Sequence, residues 1–167
     1  MIIKYTNFSD GLHEFNLSEP SKKLGLEDLF FGDVFIFCKM DKSPHQIVLD
    51  CSLSANAKYD CDRCAKESIK EVSTHFLLSF MFTKEKHKSD DFNFKMLSPE
   101  EDKIDLSADV YEYAELSLPM KKLCEEDCKG LCSKCGINLN EKSCNCVLTI
   151  ENDIWAPLKS LKDKFNN

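Results

Sequence analysis

The sequence predicts an α+β fold: an antiparallel β-meander or partly closed barrel with a few helices and a C-terminal zinc-ribbon-like segment. Apolar and polar residues alternate with a period of two between residues 33 and 83, and the spacing becomes helical at 105–118. Six of the ten cysteines crowd into residues 123–146. Alternation is typical of strands with one buried face, whereas clustered cysteines are typical of a metal-stabilised segment.

The N-terminal part of the sheet is predicted from alternation and from turn signals. Residues 1–20 contain one alternating strand, and residues 18–31 have the composition of a loop with a short helix that Gly32 closes. A further strand covers residues 33–40. A proline in the following stretch, residues 41–45, prevents that strand from continuing and predicts a turn.

Two longer strands are predicted at residues 46–61 and 68–82. The first alternates between an apolar and a polar face, and the second places its main apolar residues on one face. The apolar positions are Leu49, Cys51, Leu53, Ala55 and Ala57 in the first of them and Val72, Phe76, Leu78, Phe80 and Phe82 in the second. Because short turns join three consecutive strands, the sequence predicts an antiparallel meander.

The stretch after the meander changes from a charged loop to a helix. Residues 84–103 are rich in charge and are expected to be a solvated loop with a short strand at 92–97. Residues 105–118 are predicted to form a helix that Asp105 or Ser107 caps. Its buried face carries Leu106, Val110, Tyr113, Ala114 and Leu118.

The end of the chain is expected to form a second structural part. Trp155, Leu158, Leu161 and Phe165 have near-helical spacing and predict a C-terminal helix that packs on the domain. The predicted organisation is a β-rich core domain at 1–118, which includes the helix 105–118. A cysteine-rich zinc-binding segment with the C-terminal helix, at 119–167, packs on that core.

Composition argues against a large nucleic-acid surface. The chain carries 22 basic and 29 acidic residues, a net charge of −7, and Arg63 is its one arginine. Autonomous nucleic-acid binding usually needs a basic, arginine-rich surface, because phosphate neutralisation and counterion release drive it. The sequence shows no apolar run of about 18 residues and no signal peptide, so we expect a cytoplasmic location, where thiols stay reduced.

Eight cysteines form four half-sites for a metal ion. They are Cys61 with Cys64, Cys124 with Cys128, Cys132 with Cys135, and Cys144 with Cys146. Structural zinc takes four ligands, often from two such pairs. Gly136 makes the third pair a typical zinc knuckle, because a residue without Cβ lets backbone amides approach the sulfur. We expect the third and fourth pairs to form one site, and the first and second to form another that ties the C-terminal segment to the sheet.

Other arrangements of these cysteines stay open at the level of sequence. Four half-sites combine into two sites in three ways, and a single ion with spare thiols is an alternative, so the predicted cofactor is one or two Zn²⁺ ions. A redox pair at Cys61 and Cys64 is disfavoured because such pairs usually open a helix after a strand. Disulfides are disfavoured by a reducing compartment, and Cys38 and Cys51 are expected to be buried free thiols.

Five lysines of the cysteine-rich segment form the one phosphate-facing patch that the sequence offers, as a contact for RNA or a partner. They are Lys121, Lys122, Lys129, Lys134 and Lys142. Solubilising side chains on a small module are the alternative interpretation. The four histidines show no ligand spacing and are expected to be surface or packing residues.

Several motifs together resemble the YceD family, whose members are called large ribosomal RNA subunit accumulation proteins. They are "YDCDRCAKE" at 59–67, "IDL" at 104–106 ahead of a helix that ends in "LSLP", and "CKGLCSKCGINLN" at 128–140. The resemblance extends from about residue 34 to 162 and places the eight paired cysteines at the family's cysteine positions. It implies a role in accumulation of 23S-type ribosomal RNA and in biogenesis of the large ribosomal subunit. The chain departs from the family at 152–155, where "NDIW" replaces the more usual Asp-Pro-Arg-Trp.

The residues and the resemblance together predict a non-enzymatic factor that acts through a zinc-stabilised interaction surface. All-cysteine zinc sites are closed, whereas catalytic zinc keeps an open position. The sequence also lacks a Ser/His/Asp order, a phosphate-cradling glycine-rich loop and a His-Glu helix motif. The expected partner is a ribosomal protein or the large-subunit rRNA or its precursor, and neither a membrane nor a small-molecule substrate is expected. The alternatives are a generic zinc-ribbon module of transcription or translation and an RNA-processing enzyme.

Overall fold

The computed structural model describes residues 1–83 and 93–146, and in these ranges the protein is mostly β-sheet with one α-helix. The strands are β1 (Ile2–Ile3), β2 (Gly11–Pro20), β3 (Phe30–Lys42), β4 (Gln46–Asp60), β5 (Glu67–Phe82), β6 (Phe94–Leu97) and β7 (Ile104–Asp105). The helix is α1 (Ser107–Leu116), and short 3-10 helices cover Tyr5–Asn7 and Ser21–Leu24. The predicted C-terminal helix lies outside the described residues. None of the helices in the described ranges has the length and apolar composition to span a bilayer.

The main sheet has five strands in the order β2-β3-β4-β5-β6. The pairs from β2 to β5 are antiparallel, as the predicted meander requires, whereas β6 lies parallel to β5. Strands β1 and β7 form a separate two-stranded antiparallel sheet. Because β2 and β6 are edge strands, the main sheet is open, which decides between the two predicted forms in favour of the meander.

One face of the sheet forms the hydrophobic core, as the alternation predicts. The predicted apolar residues of β4 are fully buried or nearly so, and those of β5 are buried from Val72 to Phe80, with Phe82 partly buried against the same core. Helix α1 covers this face through Val110 and Ala114, which are fully buried. The ring of Tyr113 stacks on that of Phe76 with 4.3 Å between the ring centres. Burial of one such large apolar side chain contributes about 1.5–3 kcal/mol.

Some element boundaries differ from those predicted. Helix α1 is shorter than the predicted range 105–118, and its N-cap residue is Leu106, not Asp105 or Ser107. The carboxylate of Asp105 nevertheless accepts a 2.9 Å hydrogen bond from the backbone N–H of Ser107 at the start of the helix. Gly32 does not close a loop, because β3 already begins at Phe30. Gly32 instead has a φ of 74° inside β3, where the pairing with β4 is irregular. The short strand predicted at 92–97 is present as β6.

Cys38 and Cys51 are fully buried, as expected, but they form a disulfide and are not free thiols. The two residues are directly opposite each other in β3 and β4, with Cα atoms 4.2 Å apart. The prediction was wrong because it placed Cys51 on the apolar face without knowing which residue of β3 faces it. The other eight cysteines are free.

The cysteine-rich segment is hydrogen-bonded to the turn between β4 and β5. The backbone N–H of Asp62 donates to the carbonyl of Lys122 over 2.7 Å, and the N–H of Lys122 donates to the carboxylate of Asp62 over 2.7 Å. The guanidinium of Arg63 donates to the carbonyl of Cys128 over 2.7 Å. The N–H of Leu131 donates to the carbonyl of Arg63 over 3.0 Å. The chain's one arginine therefore fastens this segment to the sheet.

Gly130 lets the segment approach this turn closely. Its φ is +77°, and a Cβ atom added there would lie 3.0 Å from the carbonyl oxygen of Arg63 and 3.3 Å from its Cβ. Contacts of this kind with backbone cannot be relieved by a side-chain rotation. The position therefore requires glycine both for its backbone conformation and for the space it leaves.

Leu78 and Leu77 offer a matched test of the buried face, because they are neighbours on opposite faces of β5. Leu78 is fully buried and Leu77 is 48% exposed. We expect Leu78→Ala to lower the free energy of unfolding by about 2–5 kcal/mol and Leu77→Ala to change it by about 0.5 kcal/mol or less. Urea unfolding followed by circular dichroism measures both, and equal losses would contradict this assignment of faces.

Gly130→Ala should weaken the attachment of the cysteine-rich segment more than Gly136→Ala does. Both positions have a positive φ, but an added Cβ at Gly136 meets no heavy atom within 4 Å. The backbone strain alone costs about 1–3 kcal/mol, and Gly130→Ala adds the clash with Arg63. Unfolding of the two variants in urea compares these costs. A loss at Gly130 no larger than that at Gly136 would show that the close approach contributes nothing.

Candidate metal centres

Eight free cysteines form two groups of four converging sulfur atoms. Within each group all four Sγ atoms lie within 4.8 Å of one another. The first centre consists of Cys61, Cys64, Cys124 and Cys128, and the second centre of Cys132, Cys135, Cys144 and Cys146. This grouping is the one that the sequence favoured among its three alternatives. That the groups bind metal stays a prediction.

The spacing of the sulfur atoms in the first centre suits one tetrahedral ion. The Sγ atoms of Cys61 and Cys128 are 3.7 Å apart, and those of Cys64 and Cys124 are 3.6 Å apart. Four thiolates about 2.3 Å from a zinc ion lie about 3.8 Å from each other in a regular tetrahedron. The ligands are therefore placed as a metal would need them, and three of the four are buried.

The first knuckle is a tight turn between β4 and β5. The N–H of Ala65 donates to the carbonyl of Cys61 over 2.8 Å, and the N–H of Cys61 donates to the carbonyl of Lys66 over 2.9 Å. These two hydrogen bonds fold the backbone around the pair Cys61 and Cys64. Ala65 has a φ of 54°, the only positive value among the described non-glycine residues.

The second knuckle repeats the same hydrogen-bond pattern. The N–H of Gly136 donates to the carbonyl of Cys132 over 2.8 Å, and the N–H of Cys132 donates to the carbonyl of Ile137 over 2.8 Å. Gly136 has a φ of 72° and occupies the position that Ala65 holds in the first knuckle. The two knuckles are therefore equivalent in structure, although only the second has the glycine by which sequence reasoning recognises such a turn.

Backbone amides favour a thiolate in the first centre. Burial raises the pKa of Cys61, but hydrogen bonds from the backbone amides of Cys124, Arg63 and Cys64 outweigh it and lower that pKa to about 6. The neighbouring side chain of Cys128, together with burial, raises the pKa of Cys124 to about 12. Without a cation, one thiolate thus opposes ionisation of the next, whereas a divalent ion would favour all four.

The second centre has the same electrostatic arrangement at a more exposed site. The backbone amides of Cys135 and Lys134 lower the pKa of Cys132 to about 6. The side chain of Cys135, followed by burial, raises the pKa of Cys146 to about 12. Cys135 is exposed, while Cys144 and Cys146 are half-buried. Both centres therefore fit a divalent ion in their donor set and in the direction of their pKa shifts.

Sequence reasoning missed Asn140, which contacts the first centre. Its side-chain amide nitrogen lies 3.3 Å from the Sγ of Cys128, and its side-chain oxygen accepts a hydrogen bond of 2.7 Å from the backbone N–H of Lys129. An asparagine in a polar loop carries no local signal of such a contact. Only the docking of the loop on the first centre shows it.

The five predicted contact lysines lie on the same segment as the two centres. Lys121, Lys129, Lys134 and Lys142 are exposed, and Lys122 is half-buried. Lys122 also takes part in the backbone hydrogen bonds with Asp62. Their contact with RNA or with a protein partner stays a prediction.

Two known proteins show similarity to part of this chain. An Arabidopsis thaliana protein named "Large ribosomal RNA subunit accumulation protein YCED homolog 1, chloroplastic" is 25% identical over 131 residues, which cover 63% of this chain and 41% of that protein. A Zea mays protein of the same name is 38% identical over 58 residues, which cover 34% of this chain and 20% of that protein. The matched regions thus span less than half the length of each relative. No solved structure shows a significant match.

A family model agrees with these relatives. The model described as "Large ribosomal RNA subunit accumulation protein YceD" matches residues 49–162, more than half of the chain. The match includes all eight cysteines of the two centres. The chain belongs to the YceD family.

Proposed function

We propose that this protein is a non-enzymatic factor for accumulation of the large-subunit, 23S-type ribosomal RNA and hence for biogenesis of the large ribosomal subunit. The observation that carries this proposal is the family match across residues 49–162, which includes both centres. The names of the two curated relatives support it. Ribosome assembly takes place in the cytoplasm or its organellar equivalent, and we propose a cytoplasmic location. The Cys38–Cys51 disulfide is the one observation among the described residues that stands against it, because such a compartment usually keeps thiols reduced.

Each centre holds one Zn²⁺ ion in this proposal. A tetrahedral set of four thiolates selects zinc or iron, and zinc has no redox chemistry to control. The first centre joins the sheet to the cysteine-rich segment, and the second closes the segment on itself. In this proposal residues 1–118 are the core domain, and residues 119–167 are the zinc-binding segment with the C-terminal helix, packed on that core.

A structural role fits the donor set better than catalysis does. Zinc with four cysteine ligands has no open position for a water molecule or a substrate. Metal-activated hydrolysis needs such a position, because the nucleophile is a metal-bound water. An RNA-processing enzyme would therefore have to place its chemistry elsewhere on the chain.

The open face of the sheet offers a surface for a basic partner. Phe35, which is 53% exposed, and the half-buried Phe37 lie at its centre. The same face carries the cations Lys39 and Lys58 and the carboxylates Glu14, Asp33, Asp41, Asp50 and Glu71. Glu14 pairs with Lys39 over 3.6 Å, and the carboxylate of Asp50 contacts His75. The remaining excess of carboxylates would repel phosphates, whereas complementary charge speeds association with a basic protein. We propose that a basic ribosomal protein docks here.

The lysines of the cysteine-rich segment supply positive charge beside the two negatively charged centres. Two zinc-tetrathiolate groups of about −2 each would bring the chain from −7 to about −11. Lys121, Lys129 and the neighbouring lysines offset this charge locally and form the proposed contact with the large-subunit rRNA or its precursor. A generic zinc-ribbon module of transcription or translation is the alternative, and it differs in its partner.

Loss of the protein should lower the amount of the large ribosomal subunit and of its RNA. Sucrose-gradient profiles and quantification of 23S-type rRNA in cells that lack the chain measure this effect. Normal levels of the subunit and its RNA would contradict the proposed function. A deficit restricted to transcripts or to other ribonucleoproteins would favour the generic module.

Complementation of the cells that lack the chain tests whether the open face of the sheet is needed for the function. A chain with Phe35→Ser and Phe37→Ser should restore less of the large subunit than the parent chain does. Leu116→Ser is the control, because Leu116 is 76% exposed on α1, away from the sheet. Full restoration by the double variant would remove the open face from the proposal and leave the function itself intact.

Cys132→Ser should lower the metal content from about two ions per chain to about one. The remaining three ligands cannot complete a closed tetrahedral site, so hydrogen exchange of residues 129–146 should also become faster. Elemental analysis of protein purified without chelator gives the identity and number of the ions. Ser133→Ala, an exposed change within the same knuckle, is the control. An unchanged metal content in the Cys132 variant would remove that residue from the ligands.

A further inference from the structure

Asn140 connects the two groups of sulfur atoms. It belongs to the loop at 136–143, which runs between Cys135 and Cys144 of the second centre. Its side chain nevertheless donates a hydrogen bond from Nδ2 to the Sγ of Cys128 in the first centre, over 3.3 Å. A loop of one centre therefore supplies a hydrogen-bond donor to a ligand of the other.

The orientation of this amide is set by its other partners. The Oδ1 of Asn140 accepts a hydrogen bond of 2.7 Å from the backbone N–H of Lys129, and its Nδ2 also donates to the Oδ1 of Asn138 over 2.8 Å. A backbone N–H can only donate, so the oxygen faces Lys129 and the NH₂ group faces the sulfur. This orientation suits a thiolate, which can only accept.

The loop holds Asn140 in place through its own backbone. The N–H of Leu139 donates to the carbonyl of Gly130 over 2.9 Å, and the N–H groups of Glu141 and Lys142 donate to the carbonyl of Asn138 over 3.1 Å and 3.0 Å. Both chain ends of this loop are joined to ligands of the second centre. Order at the second centre therefore adds to these hydrogen bonds in placing the amide of Asn140 at the first centre.

We infer that Asn140 is a positioning residue for the first centre and that it couples metal binding at the two centres. A hydrogen bond to a coordinating sulfur fixes its orientation, and outer partners of this kind change metal affinity about 10–100-fold. Metal at the second centre holds the loop that presents Asn140 and so raises the affinity of the first centre. Linkage requires that metal at the first centre raise the affinity of the second by the same factor. The inference rests on the proposal that both centres bind metal.

A double-mutant cycle on the full chain tests the coupling. Its members are the parent chain, Asn140→Ala, Cys132→Ser with Cys135→Ser, and the combination of all three changes. Each protein is stripped of metal under reducing conditions and titrated with Co²⁺, whose thiolate charge-transfer absorption reports binding. A parallel titration with Cd²⁺, followed by cadmium NMR, gives a separate resonance for each centre and so distinguishes binding at the first centre from binding at the second.

The expected result is a loss of about tenfold or more in the affinity of the first centre for Co²⁺ in Asn140→Ala. The serine changes should also lower this affinity in the parent chain. They should lower it clearly less once Asn140 is alanine, because the contact is already lost. Equal effects of the serine changes in both backgrounds would overturn the coupling.

Two further variants separate a hydrogen-bonding role from general loosening of the loop. Asn140→Asp keeps the acceptor for the N–H of Lys129 but places a carboxylate beside the thiolate, so it should lower the affinity of the first centre at least as much as alanine does. Ser143→Ala removes another exposed side chain of the same loop and should leave the affinity unchanged. Parent-like affinity in Asn140→Asp would overturn the positioning role. A parent chain that binds no Co²⁺ at either centre would overturn the metal proposal instead.

Discussion

The convergence of four sulfur atoms at the first centre brings together two parts of the chain that are distant in sequence. Cys61 and Cys64 come from the turn between β4 and β5, while Cys124 and Cys128 come from the segment after α1. Three of these cysteines, with Leu123, form a small buried cluster separate from the main core. Such a cluster is too small to stabilise the segment by apolar burial alone, so the proposed metal ion and the hydrogen bonds of Arg63 and Asp62 have to hold it.

The local regularities of this fold are predictable from sequence, and the contacts between distant parts are not. Alternation identified the buried face of β4 and β5, because one residue in two must face the core. The same pattern does not define register, and for this reason the Cys38–Cys51 disulfide was missed. The parallel pairing of β6 with β5 was not predicted either, because a strand of four residues carries no sequence signal of its direction.

In the candidate centres, too, the local pattern was predictable from sequence and the contacts between distant parts were not. The spacing of the cysteines predicted the half-sites and favoured the observed grouping, because a short chain between ligands restricts which sulfur atoms can meet. The roles of Gly130 and Arg63 depend on how the segment docks on the turn, and no spacing records that docking. Ala65 would have been recognised only by its equivalence to Gly136, which the hydrogen bonds of the two knuckles reveal.

The order of the ligands along the chain has a consequence for how the protein matures during translation. The partner of Cys64 lies 60 residues later, and the partner of Cys61 lies 67 residues later. Strands β2 to β5 are complete long before those partners leave the exit tunnel, and each pairs with its sequence neighbour. If the sheet folds as it emerges, it would hold the first knuckle in place while the rest of the chain is made and would shorten the loop that the proposed ion closes. We expect metal uptake to be a late event, one that marks a nascent polypeptide whose cysteine-rich segment has emerged.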